Sequence, residues 1–233
     1  MNEDNSRRQF LRWLGASSGA LLLGGVACRS SSSGSNGGED FDAGIENDGG
    51  PGDVEMGGES CQVTGSDIRG PFHEDGAPDR TKIAGDDEEG ERLLIEGTVY
   101  GPDCTTPLAG VLLDVWQADV NGDYHGAEDD DYRLRGQLMT GDDGSYRFET
   151  IRPGNYPMGP DLIRPAHIHF TITKPGYTPL TTQLYFAGDP HLAPDDPCGQ
   201  CNSGDPTLII DLESSQEEGI DHQGVFDVVL AQG

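Results

Sequence analysis

The chain has 233 residues and carries 42 acidic against 14 basic side chains, which gives a formal net charge of −28 at pH 7. So large an excess of negative charge excludes a general affinity for nucleic acid or for anionic membrane surfaces. Residues 61–233 are numerous enough to form one domain with a sizeable core.

The first 28 residues have the features of an export signal. Arg7 and Arg8 form a twin-arginine pattern, which marks proteins that are exported after folding in the cytoplasm. The uncharged run over residues 13–27 is too short and too rich in Gly and Ser for a membrane span. Because Cys28 follows a small-x-small cleavage signal, it is a candidate lipoprotein cysteine; ordinary cleavage that leaves Cys28 free or paired is the alternative. We expect an exported protein, located in the periplasm, in the cell envelope or outside the cell.

Residues 29–60 consist mostly of Ser, Gly, Asp and Glu and contain hardly any apolar side chain. Such a composition cannot bury enough surface to offset the entropy lost on ordering, so we expect a disordered, flexible linker. The folded domain is therefore predicted to span residues 61–233.

Four cysteines lie in this predicted domain, at positions 61, 104, 198 and 201. In an exported domain this number indicates two disulfides, for which three pairings exist. Cys198 and Cys201 are also spaced like a redox or zinc half-site. Since no second pair occurs at zinc spacing, we favour a structural disulfide.

Short apolar stretches separated by Gly, Pro and Asp turns predict an all-β domain. The predicted strands are Leu93–Tyr100, Val111–Ala118, Ser145–Ile151, His167–Thr173, Thr182–Phe186, Thr207–Leu212 and Val225–Leu230. No long stretch has helical periodicity, so we expect a β-sandwich of short, mostly antiparallel strands. The same pattern is common in modules that only bind, which makes a non-catalytic β-sandwich binding module of a tethered lipoprotein the alternative to an enzyme.

Two histidines on one predicted strand indicate a metal site. Side chains alternate along a strand, so His167 and His169 point to the same side. Two hydrogen-bonded polar residues on a half-exposed strand would give the same pattern. Tyr124 follows a turn at a strand end and Tyr156 lies in a predicted loop; each tyrosine alone is more typical of a packed or surface aromatic residue.

Together these four side chains favour a trivalent iron. A phenolate is a hard anionic oxygen donor, whereas imidazole is a borderline donor. Two phenolates and one hydroxide balance the charge of Fe³⁺, so the complex is neutral and tolerates a low-dielectric interior. Zinc in the same ligand set would leave one negative charge and would not be redox active.

Three segments of the sequence resemble the intradiol ring-cleavage dioxygenases, closest to the protocatechuate 3,4-dioxygenase type. The match extends roughly from Gly70 to Pro190, and Gly70-Pro71-Phe72 is similar to the N-terminal entry segment of that family. The segments are Val115-Trp116-Gln117-Ala118-Asp119-x-x-Gly122-x-Tyr124, Tyr156-Pro157-x-Gly159-x-x-x-x-Arg164-Pro165-Ala166-His167-Ile168-His169-Phe170, and Thr182-Gln183-Leu184-Tyr185-Phe186-x-Gly188-Asp189-Pro190.

The resemblance implies a mononuclear non-haem Fe³⁺ enzyme with a small aromatic diol and O₂ as its substrates. Its implied metal ligands are Tyr124, Tyr156, His167 and His169. Such enzymes cleave a catechol between its two hydroxylated carbons and give cis,cis-muconate-type products. The resemblance also implies that the diol displaces Tyr156 while Tyr124 stays bound.

Two further residues are implied to lie beside the substrate ring, Arg164 and Gln183. Arg164 would stabilise negative charge that develops during the reaction, an effect of about a few kcal/mol for a well-placed donor. A strand-end arginine that pairs with a carboxylate is the alternative interpretation of Arg164.

The sequence departs from the family pattern at some positions. Met158 stands where protocatechuate enzymes often carry Trp, so the motif leaves open which substituted catechol the protein accepts. A long helical N-terminal region is not predicted, which disfavours the catechol 1,2-dioxygenase subgroup. A different alternative is an Fe²⁺ oxygenase with two histidines and one carboxylate, supplied by Asp161 or Asp189. The pattern indicates no oligomeric state.

Overall fold

The structure is a computed structural model that describes residues 61–126 and 131–233. The predicted export signal over residues 1–28, the candidate lipoprotein cysteine Cys28 and the predicted linker over residues 29–60 lie outside the described residues. Within the described residues, no helix is long and apolar enough to cross a membrane.

Strands make up almost all of the regular structure in the described residues. A short 3-10 turn over Pro206–Leu208 is the exception. In chain order the strands are β1 (Arg92–Tyr100), β2 (Leu112–Gln117), β3 (Arg135–Met139), β4 (Ser145–Ile151), β5 (Tyr156–Gly159), β6 (Leu162–Arg164), β7 (His167–Thr173), β8 (Leu180–Phe186), β9 (Ile209–Ile210), β10 (Glu213–Ser214), β11 (His222–Val225) and β12 (Val228–Val229). The predicted all-β class is confirmed.

Most strands belong to two five-stranded sheets. In the first sheet, β1 pairs antiparallel with β4 and parallel with both β11 and β12, while β10 pairs antiparallel with β11. In the second sheet, the strands follow the order β3-β2-β7-β8-β9, and β9 runs parallel to its neighbour β8. Strands β5 and β6 form a separate hairpin with a bulge. Antiparallel pairing predominates, as the sequence predicts.

The two large sheets share one hydrophobic core. Ile95 and Phe148 of the first sheet belong to the same buried cluster as Val115 and Phe170 of the second. The rings of Phe148 and Phe170 meet edge to face with centroids 6.0 Å apart. Because full burial of one such side chain stabilises a fold by about 1.5–3 kcal/mol, this cluster holds the sheets together as a sandwich.

The strand predicted over Thr207–Leu212 is wrong in its first part. Pro206–Leu208 forms the 3-10 turn, and only the residues after it are extended. Asp205 accepts a hydrogen bond from the backbone N–H of Thr207 at 2.9 Å, and a proline fits the first position of such a turn. This local cap outweighs the strand propensity of the apolar residues.

The strand predicted over Val225–Leu230 is interrupted in the structure. Strand β11 ends at Val225 and β12 covers Val228–Val229. Between them, Asp227 accepts a hydrogen bond from the backbone N–H of Thr98 at 2.7 Å through its carboxylate. The side chain thus takes the place of a backbone acceptor, and the regular ladder with β1 breaks there.

The described residues contain two disulfides, as the cysteine count predicts. One joins Cys61 to Cys104, and the other joins Cys198 to Cys201. The second bond consumes both thiols of the pair spaced like a zinc half-site, so the zinc interpretation is excluded. This bond closes a small loop between β8 and the 3-10 turn.

Candidate metal centre

The two histidines of β7 point away from the core that the sheets share, because the residues that alternate with them belong to that core. Each histidine is 3% exposed. His167 Nδ1 donates a hydrogen bond to the carbonyl oxygen of Pro165 at 2.7 Å, which leaves the lone pair on Nε2. Burial and the nearby Arg164 cation lower the pKa of His167 to about 3. Burial also lowers the pKa of His169 well below its usual value. Both imidazoles are therefore neutral at pH 7, which is the form that binds a metal.

The Tyr124 hydroxyl lies at the meeting point of both imidazoles. Its oxygen is 3.0 Å from Nε2 of His167 and 3.0 Å from Nε2 of His169. Burial raises the pKa of Tyr124 well above its ordinary value. A phenolate at this position therefore needs a cation beside it.

The Asp119 carboxylate shapes the turn that presents Tyr124. It accepts hydrogen bonds from the backbone N–H groups of Asn121 at 2.8 Å and Asp123 at 3.0 Å. The carbonyl oxygen of Asp119 also accepts from the Gly154 N–H at 2.9 Å, which ties this turn to the segment that leads into Tyr156. The two tyrosine segments are thus held to each other by backbone contacts.

Tyr156 is half-buried and begins β5, where the sequence predicts a loop. Its ring stands edge-on to the Tyr124 ring, with centroids 5.7 Å apart. Phe72 stacks on Tyr124 at 4.3 Å and meets Tyr156 edge-on at 5.6 Å. The segment Gly70-Pro71-Phe72, which resembles the N-terminal entry segment of the family, thus supplies an aromatic side chain that packs against both tyrosines.

Asp189 joins the segments that precede two of the predicted ligands. Its Oδ2 accepts from the side-chain amide of Asn155 at 2.8 Å and from the backbone N–H of Ala166 at 2.9 Å. Asn155 precedes Tyr156, and Ala166 precedes His167 in the chain. One carboxylate therefore fixes the spacing between these segments and is not free to bind a metal.

The four predicted metal ligands all line one cavity of about 310 Å³. Most of the remaining wall is apolar, and among the described residues that line it Arg164 is the one charged side chain. The complete lining is Ile68, Gly70, Pro71, Phe72, Tyr124, Tyr156, Met158, Arg164, His167, His169, Pro197, Cys198, Gly199 and Gln200.

Arg164 is 5% exposed and uses its guanidinium in several contacts. It donates to both carboxylate oxygens of Asp196 at 3.3 Å. It also donates to Gln183 Oε1 at 3.1 Å and to the Tyr185 hydroxyl at 2.9 Å. Although burial opposes the charge, Tyr185 and Asp196 raise the pKa of Arg164 above its usual value. The cavity therefore contains a fixed and permanent positive charge.

Gln183 lies behind Arg164 and does not line the cavity. Its amide donates to the Ile68 carbonyl oxygen at 2.7 Å, while its oxygen accepts from Arg164. The sequence implies a place beside the substrate ring, whereas the structure gives Gln183 a place from which it can orient Arg164. Tyr185 completes this network by donating to Asp67 at 2.8 Å.

Sequence reasoning missed three members of the Arg164 network, namely Asp67, Tyr185 and Asp196. A signal existed for Tyr185, because it alternates with Gln183 on β8 and lies opposite His167 in the sheet register. Asp67 and Asp196 come from irregular segments, for which strand periodicity gives no signal.

The described residues contain no group of three His, Cys, Asp or Glu side chains that could hold a metal ion. Asp161 is exposed at the turn between β5 and β6, and Asp189 is committed to backbone and amide donors. The alternative of two histidines and one carboxylate is therefore wrong. The donors that do converge are two neutral imidazoles and the phenol oxygen of Tyr124, while Tyr156 lines the same cavity.

The fold and the site together define a β-sandwich protein with a cavity lined by tyrosines and histidines. A family profile described as "Dioxygenase" matches residues 68–232. Among curated proteins, chlorocatechol 1,2-dioxygenase of Rhodococcus opacus is 36% identical over 190 residues, a match that covers 72% of each protein. The beta chain of protocatechuate 3,4-dioxygenase of Burkholderia cepacia is 38% identical over 184 residues, covering 72% of this chain and 75% of that one.

Solved structures agree with this similarity. The dioxygenase domain of a dioxygenase carbohydrate-binding protein fusion from Streptomyces sp. SirexAA-E has a TM-score of 0.61 and 37% identity, covering 74% of this chain and all of that chain. The 3-chlorocatechol 1,2-dioxygenase of Rhodococcus opacus 1CP has a TM-score of 0.65 and 33% identity, covering 76% of each chain.

The chain belongs to the intradiol ring-cleavage dioxygenases, a family of oxidoreductase enzymes. The expectation from the sequence motifs is thereby confirmed, and the alternative of a non-catalytic binding module is set aside. Some curated relatives are longer, since the chain spans 64% of the hydroxyquinol 1,2-dioxygenase of Rhizobium sp. (strain MTP-10005), to which it is 33% identical.

Proposed function

We propose that the protein is an Fe³⁺ dioxygenase that uses O₂ to open catechol-type diols between their two hydroxylated carbons, giving cis,cis-muconate-type products. The observation that carries this proposal is the approach of the Tyr124 oxygen to within 3.0 Å of Nε2 of both His167 and His169. Donor atoms about 3 Å apart have the separation of neighbouring ligands around one ion.

The donor set fits ferric iron. Tyr124 and Tyr156 supply hard anionic oxygens, and His167 and His169 supply neutral nitrogens. Because burial raises the pKa of Tyr124, its phenolate requires a compensating cation, which a bound Fe³⁺ would supply. A bound Fe³⁺ would act as the Lewis acid and the redox partner that prepares the diol for reaction with O₂.

The chain's own residues would then have separate tasks. Tyr124, His167 and His169 would hold the metal ion at the wall of the cavity. Tyr156 lies on the β5–β6 hairpin and is half-buried, so it suits the ligand that the diol displaces, and its phenolate oxygen can accept a proton from a substrate hydroxyl. Arg164 stabilises negative charge that develops on the substrate, and Gln183 orients Arg164 through their hydrogen bond.

The cavity favours a catechol without an anionic ring substituent. Its wall is mostly apolar, and Arg164 is the one cation among the lining residues that the structure describes. That cation already pairs with the Asp196 carboxylate, whose side chain is 3% exposed. A substrate carboxylate would therefore lose its hydration without gaining a free positive partner. Neutral and apolar-substituted catechols fit this environment better.

Export belongs to the same proposal. The twin-arginine pattern at Arg7 and Arg8 is typical of proteins that fold, and can bind iron, before they cross the membrane. We therefore place the mature enzyme in the periplasm, in the cell envelope or outside the cell, with a lipid anchor if Cys28 is acylated. Sequencing the N-terminus of the secreted protein, together with mass spectrometry for a lipid, tests both statements.

Oxygen uptake by the purified protein tests the activity. The panel should contain catechol, 4-methylcatechol, hydroxyquinol and protocatechuate. We expect uptake of one O₂ per diol, a muconate-type product identified by mass spectrometry, and slower turnover of protocatechuate than of 4-methylcatechol. No uptake with any diol by iron-loaded protein would refute the proposed reaction, and a preference for protocatechuate would refute the assignment of neutral substrates.

A further inference from the structure

A disulfide-closed loop forms one part of the cavity wall. Strand β8 ends at Phe186, and the chain then continues through irregular structure to the 3-10 turn. Within that segment, four consecutive residues, 197–200, line the cavity. The Cys198–Cys201 disulfide closes this short stretch into a ring. One part of the cavity wall is therefore covalently closed.

Both ends of this loop are tied to the network behind Arg164. At the start, Asp196 pairs with Arg164 and accepts a hydrogen bond from the backbone N–H of Cys198 at 3.0 Å. At the end, the backbone N–H of Asn202 donates to Asp67 at 2.9 Å. The position of the loop is therefore coupled to the residues that orient the charge in the cavity.

We propose that the loop over residues 196–202, closed by the Cys198–Cys201 disulfide, sets the largest ring substituent that the cavity admits. This inference rests on the proposed function for the identity of the ligand, an aromatic ring with at least one hydroxyl. The loop acts on specificity, and the metal ligands and Arg164 keep the tasks given above.

The physical reason is the stiffness of the wall. A ring closed by a covalent bond over a sequence separation of 3 leaves the backbone few alternative conformations. A stiff wall rejects a group that is too large, because the loop cannot move aside without losing the contacts at Asp196 and Asn202. Without the disulfide the loop can move outward. Ligands with bulky substituents should then bind more tightly, whereas ligands with small substituents should lose some contact with the wall.

The test compares two double variants of the full-length protein. Cys198→Ser/Cys201→Ser removes the disulfide that closes the loop over residues 196–202. The matched control Cys61→Ser/Cys104→Ser removes the other disulfide, and neither of its cysteines lines the cavity. Affinities for phenol, 4-methylphenol and 4-tert-butylphenol, which are not cleaved, are measured by calorimetry. The corresponding catechols are measured by oxygen uptake.

In the loop variant we expect the affinity of 4-tert-butylphenol relative to phenol to rise about tenfold, and in the control variant to stay within about twofold of the native ratio. The catechol series should shift in the same direction. An unchanged ratio in the folded loop variant, or an equal shift in the control, would overturn the inference. Native protein that binds the phenols but consumes no O₂ with any catechol would refute the proposed function alone.

A second variant keeps the test decisive if the loop variant does not fold. Gly199 lines the cavity, and a Cβ added there meets no heavy atom within 4 Å. Gly199→Leu keeps the disulfide and adds bulk to the wall, so the relative affinity for 4-tert-butylphenol should fall about tenfold. An unchanged ratio in this variant contradicts the assignment of the wall as the size limit.

Discussion

Replacing Arg164 by glutamine should separate the structural task of this residue from its task in the reaction. Its ion-pair partner Asp196 is almost fully buried, with a side chain that is 3% exposed, and Arg164 itself is 6% exposed in its side chain. Arg164→Gln leaves that carboxylate without its cation, and removal of one partner from a buried pair costs about 3–5 kcal/mol. We expect a loss of this size in the free energy of unfolding, measured by urea denaturation at pH 7.

The double variant Arg164→Gln/Asp196→Asn provides the control. Because it removes the uncompensated charge as well, most of the lost stability should return. Oxygen uptake should not return, since the loss of one positioned donor lowers kcat by about 100-fold or more. A single variant that loses less than about 1 kcal/mol would contradict the buried pair. A double variant with restored turnover would contradict the role of Arg164 in the reaction.

The remaining predictions concern residues that shape the tyrosine segments. Gly122→Ala should lower the free energy of unfolding by about 1–3 kcal/mol more than the control Gly188→Ala. Both glycines have a φ near +80°, so the backbone strain of an alanine is the same at the two positions. A Cβ at Gly122 also collides with the carbonyl oxygen of Asn155, whereas a Cβ at Gly188 meets no heavy atom within 4 Å. Equal losses in urea would contradict this. Asp189→Ala frees the Asn155 amide, so iron affinity in a chelator competition should fall about 10–100-fold, and unchanged affinity would refute the positioning role. Burial raises the pKa of Asp119, but hydrogen bonds from backbone N–H groups and a histidine lower it by more, so the pKa in the folded protein lies below the ordinary value of 3.8. The ionised carboxylate therefore stabilises the fold above pH 3.8, and this stabilisation is lost as the pH falls through the pKa of the folded state. The stability difference between native protein and Asp119→Asn should therefore shrink on acidification, and a constant difference would contradict it.

Strands with clear turn signals at both ends could be predicted from the sequence alone. Ser145–Ile151 and His167–Thr173 match β4 and β7 at both ends, because alternating apolar side chains lie between turns. Strand β3 was not predicted, since Arg135–Met139 contains no β-branched or aromatic residue. It forms because β2 offers a full register of backbone partners, which is a property of the assembled sheet.

The candidate ligands could also be predicted, because each lies in a family-like motif of fixed spacing. The network behind Arg164 could not. Asp67 and Asp196 are far apart in the chain and lie in irregular segments, and only the fold brings Asp196 to Arg164 and Asp67 to Tyr185. Cysteine count indicated two disulfides, but the place of the Cys198–Cys201 bond in the cavity wall needed the fold.

The visible spectrum of the purified protein tests the central claim most directly. Tyrosinate bound to Fe³⁺ absorbs strongly in the visible range, so the protein should be reddish and should contain one iron per chain by elemental analysis. Tyr124→Phe should bleach or shift that band while Tyr100→Phe, a tyrosine outside the cavity, leaves it unchanged. A colourless protein without iron after expression in iron-rich medium, or a spectrum that Tyr124→Phe leaves unaltered, would contradict the proposed ferric centre.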